Sequence, residues 1–225
     1  LTPFAALEHG DVAALTATNG PSMILLEDRV LTPAAAGNLR DWMGGGGVLV
    51  RFAGPNLAAA GDDLLPVRLR RGDRAFGGAL TWTAPARLAP FPPTSPVAGL
   101  TLSPEVTVNR QVLAEPSLDL SQRSWARLDD GTPLVTARPV DKGWLVLFHT
   151  TANTAWSNLA LSGLFVDMLR RLSSLGRGRV DKDRPWARPP LATLDGFGRL
   201  GPPPAGARPL LAGSAAAVSY THLTL

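Results

Sequence analysis

The sequence predicts an α/β domain built around a parallel sheet, and three runs of residues carry that expectation. "SMILLED" at 22–28 and "VLVRFA" at 48–53 are short apolar stretches separated by a well-punctuated helical segment. A third, "GWLVLFHTT" at 143–151, leads into an amphipathic stretch. Strand, helix and strand joined by short turns form a right-handed βαβ unit, whose two strands run in the same direction. Runs that are apolar at nearly every position, not at alternate ones, fit strands covered on both faces. The expected core therefore has three layers, with parallel strands at about 22–28, 48–53 and 144–149.

Taken in order, residues 11–19 carry a weak helical signal. The run at 22–28 follows, closing on Glu27 and Asp28 at the carboxyl end of its strand. In "LTPAAAGNLRDWMG", Thr32 is placed to cap a helix and Pro33 occupies its first position. Leu39, Trp42 and Met43 share one face at helical spacing. Four glycines, Gly44 to Gly47, come next. In phosphate-binding loops the glycines follow a strand and open a helix, so that helix N–H groups meet the phosphate. Here they follow a helix and precede a strand, and no GKS or GKT comes after them. The run is expected to stop the helix through a left-handed glycine and release the chain into the sheet.

Residues 66–142 change character. "PVRLRRGDR", "ALTWTAP", "EVTVNRQVLAE" and "SWARLDDGTPLVTARPV" are short strand-like runs between Pro, Gly and Asp turns, so an antiparallel-rich insertion is expected there. "DDGTP" at 129–133 and "DKG" at 141–143 read as hairpin connections. After the third strand, Leu161, Leu164, Phe165, Met168, Leu169 and Leu172 form an i, i+3, i+4 stripe, with Arg170 and Arg171 off it and Gly176 closing the helix. The tryptophans Trp42, Trp82, Trp125, Trp144 and Trp156 fall about one to an element, the distribution expected of core anchors.

Composition narrows the chemistry. A hydrophobic content of 45% with 18% charged residues describes a globular chain, and no run approaches the ~20 apolar residues of a membrane span. There are 0 cysteines, so disulfides, thiolate nucleophiles and cysteine metal sites are excluded. The net charge is only +4, and Lys142 and Lys182 are the only lysines, so the arginine excess is not by itself a nucleic-acid signature. The chain starts at Leu1 and reads as an internal piece of a longer protein. Residues 179–213 are rich in Pro and Gly and read as an extended linker, lying along the domain through Trp186, Leu194 and Phe197. Residues 214–225, ending "VSYTHLTL", read as a non-native, adapter-derived tail and are set aside.

Three segments together resemble a known family. "SMILLEDRVLTPAAAGNLRDWMGGGGVLVRFAGPNLA", "DGTPLVTARPVDKGWLVLFHTTANTAWSNLALSGLFVDMLRRL" and "LATLDGFGRLGPPP" look like the glutamine-amidotransferase-like domain of a group of bacterial membrane proteins. Those proteins carry an aerotolerance-regulator-type (Bat-type) N-terminal region and a C-terminal domain of unknown function. The resemblance spans about residues 1–210 and is most specific from Gly143 to Leu172. It implies a flavodoxin-like, class I glutamine-amidotransferase-like three-layer sandwich over residues 1–178. It also implies a parent held in a bacterial inner membrane by segments outside this chain, with this domain on the periplasmic side. The expected partners are other envelope proteins or other domains of the same chain. Neither a cofactor nor nucleic acid is expected.

The same resemblance frames the candidate site. Class I amidotransferases place a cysteine nucleophile on a tight turn after a sheet strand, and that turn corresponds here to Ala53 and Gly54. A methyl group has no lone pair for a base to activate, so glutaminase chemistry is not expected. His149 falls where such a fold puts its catalytic histidine. Glu27, Asp28, His149 and Asn153 are expected to gather with Ala53 and Gly54 at the carboxyl edge of the sheet, where open α/β folds bind ligands, as a vestigial pocket. Two other readings stay open. One is a hydrolase using His149, although Ser157 and Ser162 lack the G-x-S-x-G setting. The other is a basic surface module binding anionic lipid or nucleic acid through Arg68, Arg70, Arg71 and Arg74, although charges that protect an exposed strand edge against aggregation explain the run more simply. Arg71-Gly72-Asp73 reads as a turn, and neither His9 nor His149 has a second metal ligand at motif spacing.

Overall fold

The computed structural model describes residues 10–16, 21–70 and 79–176, and short stretches at 187–188, 193–194, 199–201 and 210–211. The chain divides into two compact units, Leu1–Val180 and Asp181–Leu225.

The first unit opens with a single helical turn, α1 (Val12–Leu15). The βαβ unit follows as β1 (Met23–Glu27), α2 (Pro33–Gly44) and β2 (Val48–Phe52). β1 and β2 pair in parallel, with Met23 opposite Val48 and Glu27 opposite Phe52. Thr32 caps α2 by accepting the amide of Ala35 at 3.3 Å, and Pro33 is the first helical residue. At its far end Gly46 adopts φ 102°, the left-handed conformation that favours glycine. The next position is glycine for a steric reason: a Cβ on Gly47 lies 2.6 Å from the indole of Trp42. The glycine run therefore ends a helix and lets its tryptophan pack under the strand that follows.

After the short helix α3 (Pro55–Ala60) come β3 (Ala79–Arg87), β4 (Thr107–Val112), the turn-length helix α4 (Leu120–Arg123), β5 (Ser124–Arg127), β6 (Pro133–Val140), β7 (Gly143–Phe148) and α5 (Gly163–Leu175). The main sheet has the order β1-β2-β7-β6-β5. β7 joins β2 in parallel, Val48 opposite Trp144 and Phe52 opposite Phe148. β6 returns antiparallel to β7 and β5 antiparallel to β6, so β6 alone runs against the other four.

The insertion expected at 66–142 is thus only partly separate. β3 and β4 form their own antiparallel pair, whereas β5 and β6 extend the core sheet. The hairpin at Asp141 and Lys142 explains the extension, since it folds β6 directly back along β7. Asp141 takes φ 50° at the first position of this two-residue turn.

Helices cover both faces of the sheet, and alternation along β2 shows it. Val48, Val50 and Phe52 face Leu164, Met168 and Leu172 of α5, while Leu49 faces Leu39, Trp42 and Met43 of α2. Phe52 stacks on Phe148 at 5.0 Å, and Phe165 closes on both rings at 5.9 Å. Trp42, Trp125 and Trp156 are buried, and Trp144 packs against Trp125 at 5.0 Å. One member of the expected α5 stripe falls away. Leu161 lies in a 3-10 turn before the cap and is 76% exposed, because Ser162 accepts the amide of Phe165 at 3.2 Å and starts the helix after it.

In the second unit only short ladders are described within the stretch expected to be a linker. Ala187–Arg188 (β8) pairs antiparallel with Leu210–Leu211 (β11), and Thr193–Leu194 (β9) with Leu200–Gly201 (β10). Trp186 and Phe197 lie outside the described residues. Among the described residues, no helix is long and apolar enough to cross a membrane.

Candidate functional site

The candidate site lies at the carboxyl ends of β1, β2 and β7. Ala53 follows the last residue of β2, is wholly buried, and donates its amide to the Phe148 carbonyl of β7 at 2.8 Å. Gly54 then turns the chain into α3, with Pro55 in the first helical position. The predicted strand-to-helix elbow is present, with a methyl group at the position the resemblance assigns to the nucleophile.

Asp28 fills the elbow from the neighbouring strand. Its backbone adopts φ 38°, an unusual conformation for a non-glycine residue, and its carboxylate swings across to the start of α3. Oδ1 accepts the amides of Gly54 at 2.9 Å and Leu57 at 3.0 Å, while Oδ2 accepts that of Asn56 at 3.1 Å. The Asn56 side-chain amide donates to the Asp28 carbonyl at 3.3 Å. Three amides that open a helix, the natural donors for an anion at this place, are therefore committed to a side chain of the protein itself. The fit leaves no room for anything but glycine at 54, where a Cβ lies 2.6 Å from the Asp28 carboxyl carbon.

Glu27 and Asn153 meet above the same edge. Asn153 donates its side-chain amide to Glu27 Oε1 at 2.9 Å, reaching from the loop after β7 to β1 over the end of β2 between them. Its oxygen accepts the Thr151 hydroxyl at 3.0 Å and the Ala155 amide at 2.9 Å, fixing that loop.

His149 is not at the open edge with them. It is fully buried, with Nδ1 2.7 Å from the Val112 carbonyl of β4 and Nε2 2.9 Å from the Thr136 hydroxyl of β6. A carbonyl only accepts, so Nδ1 carries the proton and Nε2 accepts from Thr136. Burial pushes the imidazole pKa down to about 4, against the smaller upward pull of the Val112 carbonyl, so the ring is neutral at pH 7. Both ring nitrogens are used inside the core. The Nε2 lone pair faces the Thr136 hydroxyl as a base faces a hydroxyl nucleophile, but both side chains are fully buried, so no substrate reaches them from the sheet edge.

Of the arginine patch, Arg68 and Arg70 are exposed beside the chain segment Leu113–Glu115: the Arg70 amide donates to the Leu113 carbonyl, and the Arg68 carbonyl accepts the Glu115 amide. Arg71 and Arg74 lie outside the described residues, as does the Arg71-Gly72-Asp73 turn. Among the described residues no cluster of His, Asp and Glu is arranged to hold a metal ion.

Sequence reading missed the strongest polar assembly near the site. Arg51, in the middle of β2 and fully buried, pairs through both terminal nitrogens with Asp62, at 2.6 and 2.8 Å. It also donates to the carbonyls of Leu64 at 2.6 Å and Arg29 at 2.5 Å. Burial raises the Asp62 pKa, but the Arg51 hydrogen bond and charge, with the amides of Leu31 and Leu64, outweigh it and hold the carboxyl below its ordinary value. The signal was present in "VLVRFA": a charge inside an otherwise apolar strand requires a buried partner.

No family model matches the chain, and no curated protein does. Among solved structures, the cytoplasmic protein STM3548 from Salmonella typhimurium is similar over 75% of this chain and 75% of its own, with a TM-score of 0.54 and 14% identity. The cytoplasmic protein STM1381 from Salmonella typhimurium LT2 is similar over 64% of this chain and 65% of its own, with a TM-score of 0.48 and 14% identity. At 14% identity the first of these likenesses is one of fold, and it agrees with an α/β architecture.

Proposed function

We propose that this chain is a non-catalytic module of the flavodoxin-like, class I glutamine-amidotransferase-like kind. It serves a membrane-anchored bacterial envelope protein as an interaction or ligand-sensing domain. The elbow after β2 carries the non-catalytic part of this reading. Acyl transfer there needs a nucleophile, a base beside it and donors for the oxyanion that develops. Ala53 offers a methyl group, His149 is fully buried against Thr136 and Val112, and the amides of Gly54, Asn56 and Leu57 are held by Asp28. The envelope setting is supported by the family resemblance of residues 22–58 and 130–172.

Two measurements test the two halves separately. Purified chain incubated with glutamine, and separately with p-nitrophenyl acetate, is expected to release ammonia and nitrophenol at the rate of buffer alone. Turnover proportional to protein concentration overturns the non-catalytic reading. Fusion of alkaline phosphatase, which is active only when exported, to the complete reading frame next to this domain is expected to give phosphatase activity. An inactive fusion, with a cytoplasmic fluorescent reporter bright at the same junction, overturns the periplasmic placement.

A further inference from the structure

The two edges of the main sheet are finished differently. At one end β5 has four residues, and its register against β6 shifts twice. Its outer side is occupied: the Arg127 carbonyl accepts the Ala89 amide at 2.9 Å, the Asp129 amide donates to the Arg87 carbonyl at 2.9 Å, and Leu88 bridges Leu128. Short length, irregular register and a covering segment all protect an edge against strand addition. Among the described residues β1, at the other end, has no such irregularity or cover. Its five residues, Met-Ile-Leu-Leu-Glu, pair with β2 in unbroken register and carry no charge before Glu27.

Hydrogen bonds fix which groups of β1 point outward. The Ser22 carbonyl accepts the Val48 amide at 3.0 Å, and the Asp28 amide donates to the Phe52 carbonyl at 2.9 Å. In a parallel ladder alternate residues make both bonds to the same neighbour, so Ile24 and Leu26 face β2 as well. Met23, Leu25 and Glu27 then turn their N–H and C=O groups away from the sheet, and no described residue pairs with them. Leu25, at the middle of the strand, is 39% exposed, as is Val30 just after it.

We propose that β1 pairs antiparallel with β1 of a second copy of this chain, about a two-fold axis at Leu25, joining the two sheets into one. Leu25 then lies opposite Leu25 and Met23 opposite Glu27, so every outward-facing residue meets a partner with which it exchanges both bonds. The side chains agree with that register. Leucine meets leucine at the axis, and each Glu27 faces a methionine, so no like charges are opposed. An unrelated strand would need to match this pattern of bonds and charge, whereas a second copy matches it by symmetry. Main-chain bonds supply the affinity in strand addition. A strand of five residues is only about 17 Å long, so the contact is smaller than a standard interface and the dimer is reversible. The pairing does not depend on the non-catalytic reading of the β2 elbow, which stands or falls on turnover.

The test is sedimentation velocity of the full chain from about 5 to 500 μM, where monomer is expected to give way to dimer. Leu25→Lys and Leu25→Glu each set like charges across the axis, and each is expected to weaken association about tenfold or more. Mixed in equal amounts, the two variants are expected to pair more tightly than either does alone, because lysine then faces glutamate. Leu25→Pro, which removes only an outward N–H, is expected to stay folded and monomeric. Leu118→Lys, at an exposed leucine just before α4 and β5, is expected to associate as the parent does. Tm is read for every variant, and the mixture is compared only with its own components, so lost folding cannot pass for lost pairing. A parent that stays monomeric throughout, or association unchanged in folded Leu25→Lys, overturns the proposal. A mixture no tighter than its components overturns the axis at Leu25.

Discussion

A single carboxylate explains the conformation of the β2 elbow. Asp28 gives up an ordinary backbone conformation, at φ 38°, to bring its side chain onto three amides of α3. Asp28→Ala therefore loses a helix cap supplied from another strand, and stability is expected to fall by about 1–2 kcal/mol in urea denaturation. Gly54→Ala is expected to cost about 1–3 kcal/mol, because its new methyl meets the same carboxyl group at 2.6 Å. The two changes share one cause, so they do not add: in the Asp28→Ala background the Gly54→Ala penalty shrinks by about 1 kcal/mol or more. Additive costs in the double-mutant cycle would show that the carboxylate is not what shapes the elbow. The sequence made both residues visible as strand-end candidates, since an acid pair closing an apolar run and a glycine before Pro55 stand out. Their contact was hidden, because it joins two strand ends 26 residues apart and no periodicity records it.

The elements themselves were legible where local chemistry is sufficient. Thr32 and Pro33 marked the start of α2, the glycine run marked its end, and continuous apolar runs marked β1, β2 and β7. Recognition failed where tertiary pairing decides. β5 and β6 are short runs between turns, equally suited to a separate sheet, and only the hairpin at Asp141 commits them to the core. The two-residue ladders after residue 186 are too short to leave a pattern. The Arg51–Asp62 pair belongs to this scale because it fastens elements together. Arg51 sits in β2, Asp62 follows α3, and the Arg29 carbonyl and Leu31 amide follow β1. Asp62→Ala leaves a buried guanidinium without its counter-charge, and is expected to cost about 3–5 kcal/mol. Arg51→Met combined with Asp62→Ala removes both charges, so the double variant is expected to be more stable than Asp62→Ala alone. A double variant less stable than either single one would mean that the pair adds net stability and is more than mutual compensation.

At the scale of the whole first unit, the question is what joins the β3–β4 pair to the main sheet, and His149 is central to the answer. The Val112 amide donates to the His149 carbonyl at 2.8 Å, and the His149 ring returns a bond to the Val112 carbonyl at 2.7 Å, while Thr136 ties the same ring to β6. The residue that resemblance places at a catalytic position thus acts as a buried neutral link among three strands. Its protonation is linked to folding with a definite sign. The pKa is about 4 in the folded chain and 6.5 as the ordinary value, so between those limits the unfolded chain binds more protons. Stability is therefore complete above pH 6.5, declines as pH falls toward 4, and loses about 3 kcal/mol over that window. Asp62, whose carboxyl is held below its ordinary value of 3.8, adds its own loss only at lower pH, so the two contributions separate. In His149→Asn the Asn side-chain amide can still donate to the Val112 carbonyl but does not titrate. That variant is expected to be less stable at pH 7 and nearly flat from pH 6.5 to 4, as read from urea midpoints at half-unit intervals. If the parent chain is itself flat across that window, the imidazole is either solvated or already charged, and the strand link drawn here does not hold.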